Sequence, residues 1–252
     1  MHRTVLVLVA SALTLVWFSP TALAVSSWLV ERGSWSSIEP QPPVYHINSD
    51  GSVVLQLCYN WSCATRRTVS FPARDIARVR EQMAICPGND LHERLQRIRI
   101  GIWQMESLAE KQLPILVNDA GENEKDRGLA GRTDCIDNST NTRTYLHVLM
   151  DLGEIEGWTM ASPEIRNRFD VNTVHWTAVL RNETDGQPWS IDSWYRPNGH
   201  LPFVMPLGEW KQERFGWEPP FDRFNPYPQY SHDLCGTSAQ RAADEGNPRS
   251  RN

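Results

Sequence analysis

Gly131-Arg132-Thr133-Asp134-Cys135-Ile136-Asp137-Asn138 opens a helix, and the rest of the chain is best understood from that opening. Asp134 offers the short carboxylate of an N-cap, Cys135 becomes the first helical residue, and Asp137 falls near the third. Ile136, Tyr145, Leu146, Leu149 and Met150 supply apolar positions up to Gly153, which ends the helix as a C-terminal glycine. A thiolate at a helix N-terminus is favoured by the peptide dipole, whereas the flanking Asp134 and Asp137 disfavour it. The dipole contributes only about 0.3–1 kcal/mol at an exposed site. Activation of Cys135 therefore calls for a close imidazolium.

Two downstream segments supply the partners. Thr173 to Leu180 reads as a strand, its alternation placing His175, Thr177 and Val179 on one face and Val174, Trp176 and Ala178 on the other. Asn182 to Gly186 is a hairpin turn, and Gln187 to Trp194 runs back carrying Asp192. In a hairpin of this length Asp192 lies across from the His175 end. Thiol, imidazole and carboxylate in that order are the parts of an activated cysteine nucleophile, which points to acyl transfer on an amide or ester.

Met1-His2-Arg3, the apolar run Thr4 to Phe18, Ser19-Pro20 and Ala22-Leu23-Ala24 read together as a cleaved secretory signal over residues 1–24. The apolar core of about fifteen residues is short for a membrane span, which needs roughly twenty. The expected location is therefore periplasmic or secreted, with no stable membrane span after cleavage. A formal charge of -5 and the absence of a Lys/Arg cluster argue against a nucleic-acid partner. Of the eleven Trp, those in apolar runs (Trp158, Trp176, Trp189) are expected in the core.

The five cysteines are Cys58, Cys63, Cys86, Cys135 and Cys235. In an oxidising compartment structural thiols tend to pair, and an odd count leaves at least one over. Cys58 and Cys63 bracket a hairpin end between the strand-like runs Ser52 to Leu57 and Ala64 to Phe71, so a bridge there is expected. Cys86 and Cys235 then pair over a long range and leave Cys135 as a thiol. Four cysteines still admit three connectivities. No metal site is expected, since Cys58 and Cys63 lack a second ligand pair, and neither is a cofactor.

Before the nucleophile, helical spacing of Ile76, Val79 and Met83 follows Pro72, and Leu95, Ile98, Ile102, Met105 and Leu108 mark the longest helix, Leu91 to Gln112. Asn118 to Gly131 is a polar loop delivering the chain to Cys135, with the charge run Glu122 to Arg127 on its outer face. Phe215 to Asn225 is rich in Pro and aromatic residues, and Thr237 to Asn252 is a polar tail. His147, His200 and His232 read as ordinary helix, surface and tail residues.

Asp134-Cys135 on a helix, His175-Trp176 on a strand and Ile191-Asp192-Ser193-Trp194 closing another resemble the transglutaminase-like superfamily, nearest to the bacterial transglutaminase-like cysteine peptidases. The likeness covers roughly Leu91 to Trp210, departing at Val174, where those peptidases often have Gly, and at Ser193, where they often have Asn. The resemblance implies an α+β fold with a papain/transglutaminase-like core, in which a nucleophile helix packs on an antiparallel sheet. An N-terminal β-hairpin region comes in addition. It implies a Cys135–His175–Asp192 triad acting on a protein or peptide amide, by hydrolysis or transamidation. The expected organisation is a signal (1–24), a hairpin and helix region (25–88), a catalytic core (89–212) and an extension with tail (213–252). The backbone N–H of Cys135 is the first oxyanion donor, and Trp103, Gln104 and Asn118 are candidates for a second. Two other readings are an exported binding or assembly module without catalysis and a disulfide scaffold in which Cys135 is bridged.

Overall fold

The computed structural model describes residues 39–88, 90–118, 128–168, 170–198, 200–212 and Cys235. The expected signal at 1–24, the charge run 122–127, His232, and the Pro/aromatic extension and polar tail lie outside the described residues.

The helix expected to carry the nucleophile, here α3 (Cys135–Asp151), begins where the capping carboxylate places it. Asp134 accepts from the N–H groups of Ile136 and Asp137, and Asp137 reaches back to the N–H of Asp134, a full capping box. The helix is polar on much of its surface yet buried on nearly all of it, from Ile136 through Thr142 and on to Leu149. Burying a polar group without a partner is costly, and most of its buried polar side chains are tied, Ser139 Oγ excepted. Asn138 donates to Thr133 and to the Asp134 carbonyl, Asn141 exchanges two hydrogen bonds with the backbone of Cys58, and Thr142 pairs with Ser193.

Those partners come from both sides because α3 is wedged between two sheets. The smaller sheet joins β1 (Tyr45–Ile47), β2 (Val53–Tyr59) and β3 (Thr65–Phe71) as antiparallel neighbours, with Val53 opposite Phe71 and Tyr59 opposite Thr65. The larger runs β4 (Trp158–Met160), β6 (Asp170–Asn182), β7 (Pro188–Asp192) and β8 (Phe203–Pro206). A fifth strand, β5 (Glu164–Arg168), also pairs with β6, and every pairing is antiparallel. Helix α3 packs on β2 of one sheet and β6 of the other, with α2 (Leu91–Gln112) against it. Helix α1 (Ala73–Met83) buries Ile76, Val79 and Met83, the residues its spacing selects. A short α4 (Leu207–Trp210) follows β8.

Leu55, Leu57, Phe71, Met83, Ile98, Ile102, Met105, Leu146 and Leu149 form one continuous core. Helices α1, α2 and α3 converge at Gly101, where an added Cβ would stand 2.7 Å from Leu149 Cδ1 and 2.9 Å from Met83 Sδ. The fold is mixed α+β with antiparallel sheets. Its larger sheet exceeds the expected hairpin: β6 begins earlier than Thr173, and β4, β5 and β8 flank it. Disulfides join Cys58 to Cys63 and Cys86 to Cys235, and Cys135 is a free thiol. Among the described residues no helix is long and apolar enough to cross a membrane.

Candidate active site

His175 and Asp192 meet because of strand register. The β6–β7 ladder pairs Ala178 with Ile191, one residue short of Asp192. Alternation then puts Asp192 on the same face as Thr177 and His175. Asp192 Oδ2 stands 2.7 Å from His175 Nε2, and both side chains are almost fully enclosed. The carboxylate also accepts from Trp210 Nε1 at 3.0 Å and from the Trp194 N–H at 3.2 Å. The imidazole is walled by Trp194, Tyr195 and Trp210, with ring centroids at 4.6, 5.0 and 5.7 Å. Arg166 holds that wall together: it bonds the Tyr195 hydroxyl, donates to the Trp210 carbonyl at 2.6 Å and lies 4.5 Å above the Trp210 ring. With Nε2 on the carboxylate, Nδ1 is the nitrogen that proton transfer would use.

Cys135 stands at the first turn of α3, half-buried, its Sγ 4.0 Å from the carbonyl of Val174 and also against the N–H of Trp176. Its sulfur thus touches the backbone on either side of His175. The capping carboxylate takes the N–H groups of Ile136 and Asp137, leaving that of Cys135 outside the cap and pointing with the dipole. The thiol's charge state runs against the expected activation. Burial pushes Cys135 up to about 12, and Asp134, Asp192 and Asp137 add to the rise over the opposing N–H of Trp176. Desolvation and three neighbouring carboxyls outweigh a helix dipole worth about 0.3–1 kcal/mol. Cys135 therefore rests as a thiol.

A second feature surrounds the same helix start. Asn60, Trp61, Ser62 and Cys63, at the tip of the β2–β3 hairpin, all have left-handed φ, at 66°, 64°, 55° and 55°. Left-handed backbone costs an L-residue about 1–2 kcal/mol, and only Asn60 is of a type at ease there. Trp61 N–H donates to Asp137 Oδ2 at 2.9 Å, Ser62 N–H to Asp134 Oδ2 at 2.9 Å, and Cys63 N–H to Asp137 Oδ1 at 2.7 Å. Backbone hydrogen bonds contribute roughly 0.5–1.5 kcal/mol each, and more where the acceptor is charged, so the three together offset much of the strain. Burial, then the adjacent Asp134, holds the Asp137 carboxyl well above its usual range against the N–H donors from Asp134 and Cys63. Cys58, Cys63 and Asp137 form a close sulfur–carboxylate cluster, but both sulfurs are spent in a disulfide, so it is not a cation site.

The oxyanion candidates divide. Asn118 is a clamp, its Nδ2 donating to the carbonyls of Ser193, Trp194 and Arg196 at 3.3, 3.4 and 2.6 Å. That amide is committed to holding the segment after Asp192, and an oxyanion role for it is set aside. Trp103 and Gln104 sit half-buried in the middle of α2, Trp103 against the core. No hydrogen bond among the described residues links either side chain to Cys135, His175 or Asp192. Sequence reasoning missed Trp210, Arg166 and Glu106, and it expected the bridged hairpin tip without its hydrogen bonds to Asp134 and Asp137. Glu106 is a buried α2 carboxyl that accepts from Ser193 and is pushed up to about 8 by burial, against that hydrogen bond and with a small further rise from Glu110. The Cys58/Cys63 spacing was the signal for the tip; the others carried none. No protein-family model, curated protein or solved structure matches the chain.

Proposed function

We propose that the protein is an exported acyl-transfer enzyme with a Cys135–His175–Asp192 triad on a papain/transglutaminase-like core, acting on a protein or peptide amide. The observation that carries this reading is the enclosed 2.7 Å His175–Asp192 pair, with the sulfur of the free Cys135 seated against the backbone on both sides of His175. Two disulfides in the chain support export.

Because Cys135 rests as a thiol, attack proceeds with transfer of its proton to His175 rather than from a standing ion pair. Sγ bonds to the carbonyl carbon, and the imidazolium is stabilised by Asp192. The backbone N–H of Cys135 faces the developing oxyanion. His175 returns the proton to the leaving amine, and water or a second amine resolves the thioester. The raised thiol favours one rival, a binding or assembly module on the same fold in which the three residues are not catalytic.

Alkylation by iodoacetamide, followed by peptide mass spectrometry across pH, separates the two. For the enzyme, Cys135 is labelled near neutral pH and His175→Ala slows that labelling about a hundredfold, the scale of general-base catalysis. Labelling indifferent to His175, rising only in the alkaline range as a thiol near 12 demands, leaves the binding module.

A further inference from the structure

The hairpin tip touches both carboxylates that flank Cys135. Successive N–H groups in a turn can form a cradle for anions, and those of Trp61, Ser62 and Cys63 are filled by Asp134 and Asp137. The same two carboxylates make the capping box of α3, so the helix start is gripped from its own first turn and from the tip. The tip is also pinned to the approaching chain, Asn60 N–H donating to the Arg132 carbonyl at 2.8 Å and Gly131 N–H to Asn60 Oδ1 at 2.6 Å. No glycine stands in the run to adopt the left-handed region freely. Its covalent constraint is the Cys58–Cys63 disulfide, which ends at the last left-handed residue and closes the loop around the other three.

We propose that closure of the Cys58–Cys63 disulfide licenses the nucleophile: the oxidised tip locks the first turn of α3, and before oxidation the tip relaxes and Cys135 is not held toward His175. The inference rests on the catalytic reading of Cys135 and adds a redox condition to it. Closure takes two electrons and two protons from the two thiols, and a disulfide-bearing oxidant accepts them and leaves as a dithiol. Both cysteines are 1% exposed in the folded chain. Reductant therefore cannot reach the closed bond without opening the tip, and the device acts once, on arrival in an oxidising compartment. Acyl-transfer chemistry stays silent where the chain is made.

The test uses the full chain in four forms: unmodified, Cys58→Ala/Cys63→Ala, Cys58→Ala/Ser62→Gly/Cys63→Gly, and Cys86→Ala/Cys235→Ala. Two quantities are read, amide hydrogen exchange over residues 58–64 and 134–140, and the part of Cys135 alkylation that His175→Ala abolishes. The alanine pair is expected to speed exchange in both segments at least about tenfold, as local opening does, and to lower the His175-dependent rate about tenfold. The glycine form, relieved of the left-handed penalty at positions 62 and 63, restores most of both without any disulfide. The Cys86/Cys235 form melts earlier but keeps both quantities. Unchanged exchange in the alanine pair overturns the proposal, as does an equal loss in the Cys86/Cys235 form or a glycine form no better than alanine. If the alanine pair does not fold, the glycine form decides: slow exchange supports the lock and fast exchange overturns it. Should alkylation of the unmodified protein ignore His175, the triad reading and the licensing fall together, while exchange still decides whether the tip locks α3.

Discussion

Glu106 has no place in the proposed chemistry, yet its carboxyl is at odds with its surroundings. It accepts from Ser193, which is paired in turn with Thr142 of α3, and burial holds it up to about 8 from an ordinary 4.5. Between those values the folded chain keeps a proton that the unfolded chain has released. The folded state then binds more protons, so stability falls as pH rises through that window and levels off above about 8. Below the ordinary value both states are protonated and the effect vanishes. A shift of this size corresponds to a few kcal/mol. Glu106→Gln keeps an acceptor for Ser193 and removes the titration. In denaturant unfolding across pH, the difference between the variant and the unmodified chain should grow in the variant's favour from about pH 5 to about pH 8. A flat difference would show that water or a partner charge already solvates Glu106.

Among the helices, α4 is the shortest, and it reaches into the site. Its Trp210 supplies one of the three donors around Asp192 and one ring of the wall around His175. Trp210→Phe retains a ring beneath Arg166 but loses the Nε1–H. Losing a hydrogen bond to a charged group costs roughly 1.5–3 kcal/mol. The His175-dependent alkylation of Cys135 should fall about tenfold in a chain that still folds, measured beside a circular-dichroism melt; an unchanged rate would make Trp210 packing alone. Such contacts also mark what the sequence could and could not disclose. The α3 start was legible because an N-cap and its third residue are local, and the β6–β7 hairpin because alternation and its turn are local. The wider sheet was not: β5 is short and charged, and it becomes a strand by pairing chiefly with His175 to Thr177 of β6. Trp210 and the tip's hydrogen bonds escaped for a related reason. They act on Asp192 and Asp137 from 18 and 74 or more residues away, and no local pattern encodes which polar group an indole or a backbone N–H will find.

At the scale of the molecule the two disulfides have different places and different work. Cys58–Cys63 grips the start of α3 from the small sheet. Cys86–Cys235 lies where α1 gives way to α2 and joins Cys235 to the same core, spanning 149 residues. Among the described residues no hydrogen bond links the second bridge to the capping box, His175 or Asp192. Its contribution should therefore appear in stability and not in chemistry. Restricting the unfolded chain by a bridge of that span contributes roughly 2–5 kcal/mol. For a chain of this size that is a melting temperature lower by about 5–15 °C in Cys86→Ala/Cys235→Ala. Calorimetry checks the first half of the expectation, and Cys135 alkylation well below the new melting temperature checks the second. If reactivity fell in step with the melting temperature, the core and the site would be one cooperative unit. If it held, the large sheet with α3 positions Cys135, His175 and Asp192, and the long bridge only keeps the unfolded chain from competing.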